Sequence, residues 1–142
     1  MAHFAKIGIN SKVIEVIPLS DEYCRGADST LSEEIGRQYL ENTHGWPLWK
    51  QTYKKGTSRG NFARIGGTYD DDKELFWDPK PHPSWTKDET SYKWVPPVDM
   101  PNDDSGYNIY WDEDNDRWLG KDRADETIVN IWNPDTSTWS SL

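Results

Sequence analysis

The sequence predicts an α+β N-terminal unit, with a hairpin, one short helix and further strands, followed by a mostly β array of Trp-rich hairpins. Three observations carry that expectation. β-prone runs and a capped amphipathic segment occupy the first 68 residues. After them, two aromatics separated by six residues recur four times, and six of the nine prolines fall between Pro79 and Pro101. The expected division is therefore 1–68 and 69–142.

Residues 4–8 and 13–17 are β-prone and flank Asn10-Ser11, which reads as a hairpin whose second strand Pro18 ends. Thr30 stands as an N-cap with Glu33 three residues on. Leu31, Ile35, Tyr39 and Leu40 then follow one helical face until Gly45 stops it. Gly36 weakens that helix by roughly 1 kcal/mol relative to alanine. Residues 48–53 and 61–65 read as two strands around a loop at 56–60, with Gly66-Gly67 as the exit.

The repeated unit is an aromatic, six mostly polar residues with an Asp third after that aromatic, and a second aromatic. Its copies are Tyr69/Phe76 with Asp72, Trp85/Tyr92 with Asp88, Trp111/Trp118 with Asp114, and Trp132/Trp139 with Asp135. Positions seven apart can face each other across an antiparallel hairpin turning at its two central residues, such as Asp114-Asn115. Such a ring pair adds roughly 0.5–1 kcal/mol, too little for a lone hairpin, so the hairpins must pack on each other or on a partner. The first aromatics are 16, 26 and 21 residues apart, which excludes a solenoid of fixed pitch. The prolines read as stiff connectors, and residues 127–132 form a β-branched run expected to link the last two hairpins edge to edge.

Composition narrows the function classes. Leu, Ile, Val and Phe total 24 of 142 residues, about 17%, and the mean hydropathy is −0.97, so nine Trp and seven Tyr must supply the apolar surface in several small clusters. A net charge of −9 argues against nucleic acid and anionic membranes as partners and favours a basic or neutral one. The lone Cys24 excludes an internal disulfide, and the opening residues lack the apolar run of a signal peptide.

Candidate chemistry is sparse. Asp112, Asp114 and Asp116 alternate like the start of a calcium loop, but Arg117 stands where that loop needs Gly and Arg123 where it needs a bidentate Glu. His3, His44 and His82 are scattered, without Cys or a second His nearby, so neither metal nor cofactor is expected. No Gly-x-Ser-x-Gly, phosphate loop or activated cysteine appears, so no catalytic residue is assigned and the chain is read as non-enzymatic. The candidate packing or ligand-binding aromatics are the eight paired rings, with Phe4, Ile7, Trp46 and Trp49 as a candidate N-terminal docking core.

Met1-Ala2-His3-Phe4-Ala5-Lys6-Ile7-Gly8, His44-Gly45-Trp46-Pro47-Leu48-Trp49-Lys50-Gln51-Thr52 and Ala63-Arg64-Ile65-Gly66-Gly67-Thr68-Tyr69-Asp70 together resemble small virion structural proteins of tailed phages of marine bacteria, cyanophages above all. The Pro-Lys-Pro stretch before Ser84-Trp85 shares the likeness. The resemblance implies a virion component made in the host cytoplasm, whose partners are other virion proteins; exposed strand edges and paired rings suit homo-oligomerisation besides. Tail, neck or fibre association is the favoured placement, with capsid decoration as the alternative. The aromatic hairpins also resemble, less closely, choline- and glucan-binding repeats, which implies a host surface glycan as a partner in adsorption. The chain departs from those repeats in lacking an aromatic triplet, an even pitch and Gly in the four turns.

Overall fold

A computed structural model describes residues 1–54, 58–102 and 105–142. It confirms one helix near the N-terminus followed by β hairpins carrying Trp clusters. Two compact units are present, 1–79 with 90–93, and 80–89 with 94–142. The residue-68 boundary expected from the sequence thus falls inside the first unit, because Tyr69 and Phe76 pack in its core.

In the first unit, β1 (Ala2–Ile7) lies between β2 (Val13–Leu19) and β3 (Trp49–Thr52), both antiparallel to it. The β1–β2 connection turns at Asn10 and Ser11, both at positive φ near 58° and 59°. Pro18 does not end β2, which runs on to Leu19. Only an edge strand tolerates the missing N–H, and β2 is one. Side chains of β1 alternate between two cores: Ala2 and Phe4 join Leu19, Cys24, Leu40 and Trp49, whereas Ala5 and Ile7 join Val13, Ala63, Tyr69 and Phe76. The sheet is therefore buried on both faces. Helix α1 (Glu33–His44) covers the first, and the hairpin of β4 (Thr68–Asp70) and β5 (Leu75–Trp77) contributes to the second.

Ser32, not the expected Thr30, caps α1; its Oγ accepts from the Ile35 amide at 3.4 Å. Thr30 instead bonds the Asp28 carboxylate, 3.1 Å from its amide and 2.6 Å from its hydroxyl, and Leu31 stays exposed. Gly45 ends the helix at φ 69°, a left-handed turn open to glycine at little cost. Gly36 has a packing reason: a Cβ there would stand 2.6 Å from Phe4 Cζ and 2.9 Å from Cys24 Sγ. Residues 61–65, expected as a strand, form none; Asn61 instead donates to the Phe76 and Tyr92 carbonyls at 3.2 and 2.7 Å. Part of the expected 56–60 loop, Gly56 and Thr57, lies outside the described residues.

The second unit contains β6 (Thr86–Asp88), β7 from Trp94 onward (Lys93–Val95 in full), and a four-stranded antiparallel sheet. That sheet has β8 (Tyr107–Asp112), β9 (Arg117–Asp122), β10 (Val129–Asn133) and β11 (Thr138–Ser141) in sequential order. The expected edge-to-edge link between the last two hairpins is the β9–β10 pairing, although its strand starts at Val129. Among the described residues, no helix is long and apolar enough to cross a membrane.

In an exposed helix, Gly36→Ala would stabilise by about 0.5–1 kcal/mol. Against Phe4 and Cys24 it is expected to destabilise by about 1–3 kcal/mol, a lower urea midpoint being the measurement.

Candidate functional site

The four hairpins share one turn. Each leaves its first strand at an Asp or Asn, Asp70, Asp88, Asp112 or Asn133, and spends four residues in the turn. The last turn residue has positive φ: Glu74 at 55°, Tyr92 at 59°, Asp116 at 50° and Ser137 at 54°. Asp70 Oδ1 accepts the amides of Asp72 and Lys73, both at 3.1 Å, and Asn133 Oδ1 accepts those of Asp135 and Thr136 at 2.9 and 3.4 Å. Asp112 accepts Asn115 Nδ2 at 3.0 Å and Arg117 Nε at 2.8 Å, and these bonds hold its carboxyl below the usual range. The residue the turns have in common is thus the Asp or Asn that ends the first strand, and the turn has four residues, not two.

This turn sets Tyr69 opposite Phe76, Trp111 opposite Trp118, and Trp132 opposite Trp139, as the spacing of seven predicts. Their ring centroids lie 4.8, 5.1 and 5.2 Å apart, in tilted or edge-to-face geometry. The fourth pair fails. Trp85 precedes β6, and Tyr92 is the last residue of its turn, so neither lies on a strand, whereas Lys87 and Trp94, each two residues later, do. The Lys87 ammonium lies 5.7 Å from the Trp94 ring, a cation–π contact in place of a ring pair. Trp85 and Tyr92 are also assigned to different units.

Within the four-stranded sheet, alternation puts Trp111, Trp118, Trp132 and Trp139 on one face, one from each strand. They form a row of indoles across the sheet. Trp85 caps it, with centroids 6.2 Å from Trp111 and 6.0 Å from Trp118, and Val98 packs alongside. Two polar clasps fasten this cover. Glu113 accepts the Ser84 amide and hydroxyl, each at 2.8 Å, and the Trp111 indole at 2.7 Å; Trp118 Nε1 donates to the Val98 carbonyl at 2.7 Å. Gly120 leaves room for Trp139 to meet Tyr107 edge-on at 5.2 Å, since a Cβ would lie 2.9 Å from Tyr107 Cβ. Trp111, Trp118 and Trp132 are 7, 5 and 7% exposed, so these rings are spent inside the unit and not displayed.

The candidate docking residues are placed likewise. Phe4, Ile7 and Trp49 are buried, Ile7 on the opposite face of β1 from the other two. Trp46 is half-buried, donates to the Ile7 carbonyl at 2.9 Å, and accepts from the Trp49 indole through its own carbonyl at 2.6 Å. Sequence reasoning missed the polar knot beside them. Glu33 accepts the Gln51 amide at 2.6 Å and pairs with Arg59 through two guanidinium nitrogens. Arg59 also donates to the Gln51 carbonyl at 2.9 Å, with its guanidinium 5.8 Å from the Tyr53 ring and 5.9 Å from Tyr69. Burial opposes charge on Glu33, but the bonds from Arg59 and the Gln51 amide outweigh it and hold the carboxyl below its usual value.

Among the described residues, no group of three or more His, Cys, Asp or Glu is placed to hold a metal ion. Fold and site together define a small two-unit protein built on aromatic hairpins and shared Asx turns. Comparison with known proteins finds no matching family model, curated sequence or solved structure.

Two outcomes follow from this geometry. Trp118→Ala is expected to cost about 3–5 kcal/mol and collapse the near-ultraviolet dichroism of the indole row, whereas Asn133→Ala costs about 1 kcal/mol and leaves that signal in place. Because Glu33 has a depressed folded pKa, its stabilisation is complete above the unfolded value of about 4.3 and is lost as pH falls through the folded one. Glu33→Gln should lower stability at neutral pH by about 1–3 kcal/mol and flatten the decline between about pH 5 and 3, as read from urea midpoints.

Proposed function

We propose that the chain is a non-enzymatic phage virion structural protein, an assembly component associated with the tail, neck or fibre that docks through its N-terminal unit. The observation that carries this reading is the likeness of residues 1–8, 44–52 and 63–70 to virion proteins of tailed marine phages. Those segments supply Phe4, Ile7, Trp49, Ala63 and Tyr69 to the two cores of the first unit, so the likeness lies in what builds the fold. Its partners are other virion proteins and copies of itself.

The chemistry of the carboxylates favours the same reading. Glu33, Asp112 and Glu113, all held acidic, are committed to a helix–strand clasp, a turn and the cover of the indole row. These are structural duties, and perturbed titration here accompanies ion pairing and capping. A sugar- or choline-binding module would present open ring faces, and the burial of Trp111, Trp118 and Trp132 weighs against it.

Quantitative mass spectrometry of purified particles tests the proposal through copies of this chain per major capsid protein. Roughly three to a few tens of copies per particle is the expected result, matching the low-order symmetry of tails and necks. A ratio near one would move the protein to capsid decoration, and absence from the particle would overturn the structural reading.

A further inference from the structure

The net charge of −9 is unevenly shared. The first unit carries 11 Lys and Arg against 12 Asp and Glu, a net −1; the second carries 5 against 13, a net −8. Nearly all the excess acid therefore belongs to the unit built on the indole row. Such asymmetry gives that unit a negative field that attracts basic groups.

That unit also holds an open groove of about 590 Å³ between the 97–102 segment and the β10–β11 turn. Trp132 lines it together with Met100, Pro101 and Pro134, and Asp99 and Asn102 bring polar groups to the same walls. Met100 is 58% exposed, and Asp99 has no cationic partner among the described residues. The segment is held from behind, through Val98 and the Trp118 indole. Prolines stiffen both walls, so little ordering entropy opposes binding. The topology adds charge at this end: the β8–β9 and β10–β11 turns lie at the same end of an antiparallel sheet and carry exposed Asp114, Asp116 and Asp135.

We propose that this groove is the docking site for a basic, extended segment of a partner protein. The apolar stems of Lys or Arg lie along Met100, Pro101 and Pro134, and their charged heads meet Asp99 and the turn carboxylates. The indole unit of a second copy is a poor occupant, because it is equally acidic, and the first unit of a copy has no net positive charge to offer. The inference rests on charge and groove geometry and does not depend on the virion reading.

Fluorescence anisotropy on the full chain, with a short labelled peptide of alternating Lys and Pro at low salt, tests it. The peptide is expected to bind, with affinity falling as salt rises, and an alternating Glu and Pro peptide is not. Asp99→Lys should weaken binding by about tenfold and Met100→Ser by about threefold. Glu126→Lys, the same charge change in the exposed loop at the other end of the sheet, should weaken it by less than about twofold. Equal losses from Asp99→Lys and Glu126→Lys would overturn the proposal in favour of a diffuse field. It also fails if the peptide does not bind, if choline displaces it, or if Asp99→Lys abolishes self-association seen by sedimentation.

Discussion

The second unit depends on the register of its hairpins, which decides whether its tryptophans share a face. The four-residue turns fit that register: Asn133, like Asp70 in the first unit, accepts amides two and three residues ahead, and Asp112 holds its turn through Asn115 and Arg117. Side chains alternate faces along a strand, so a slip of one residue would send Trp111 and Trp118 to the opposite side. The row of four indoles then follows from register alone. With so few aliphatic residues available, it is the main apolar surface that a four-stranded sheet can bury, and it needs Trp85 and Val98 as a lid. Glu113 joins that lid to the turn, so the residue next to Asp112 also holds the cover.

The first unit solves the same shortage differently. Its central strand is buried on both sides, so one six-residue segment serves two cores. Close approach of α1 is what makes the first core dense, and Gly36 is the residue that permits it. The Glu33–Arg59 pair ties the start of the helix to β3 and to the residues before β4, adding side-chain bonds to the backbone bonds that already run between Val13 and Gly66-Gly67. Arg59 suits the place because a flat guanidinium can bridge a carboxylate and a carbonyl while lying near two tyrosine rings.

How much of this was legible in the sequence depends on whether the signal was local. Spacing of seven identified three ring pairs, and Gly45 marked the helix end, because both rules act within one turn or hairpin. The same spacing misled at Trp85 and Tyr92, where a chance match in aromatics hid a turn two residues later; Asp88 was the true marker, aligned with Asp70, Asp112 and Asn133. Ser32 outcompeted Thr30 because Asp28 had already engaged the threonine and Glu33 was drawn away to Arg59. Pro18 looked like a stop since sequence does not say which strand lies at an edge. Among candidate site residues, three ring pairs were found and Trp94 was missed, and in no case was exposure legible, because tertiary cover sets it.

Exposure changes what the hairpins can contribute to assembly. If each ring pair stood alone, several weak apolar contacts could add along the chain, and losing one would be a small loss. With Trp111, Trp118 and Trp132 packed in one buried cluster, each ring instead supports its neighbours, so a substitution in the row acts on the whole sheet. What the row leaves outside is turn carboxylates, a proline-walled groove and an excess of negative charge. The tryptophans give rigidity, and the exposed Asp114, Asp116 and Asp135 on the turns between them set negative charge at one end of the sheet.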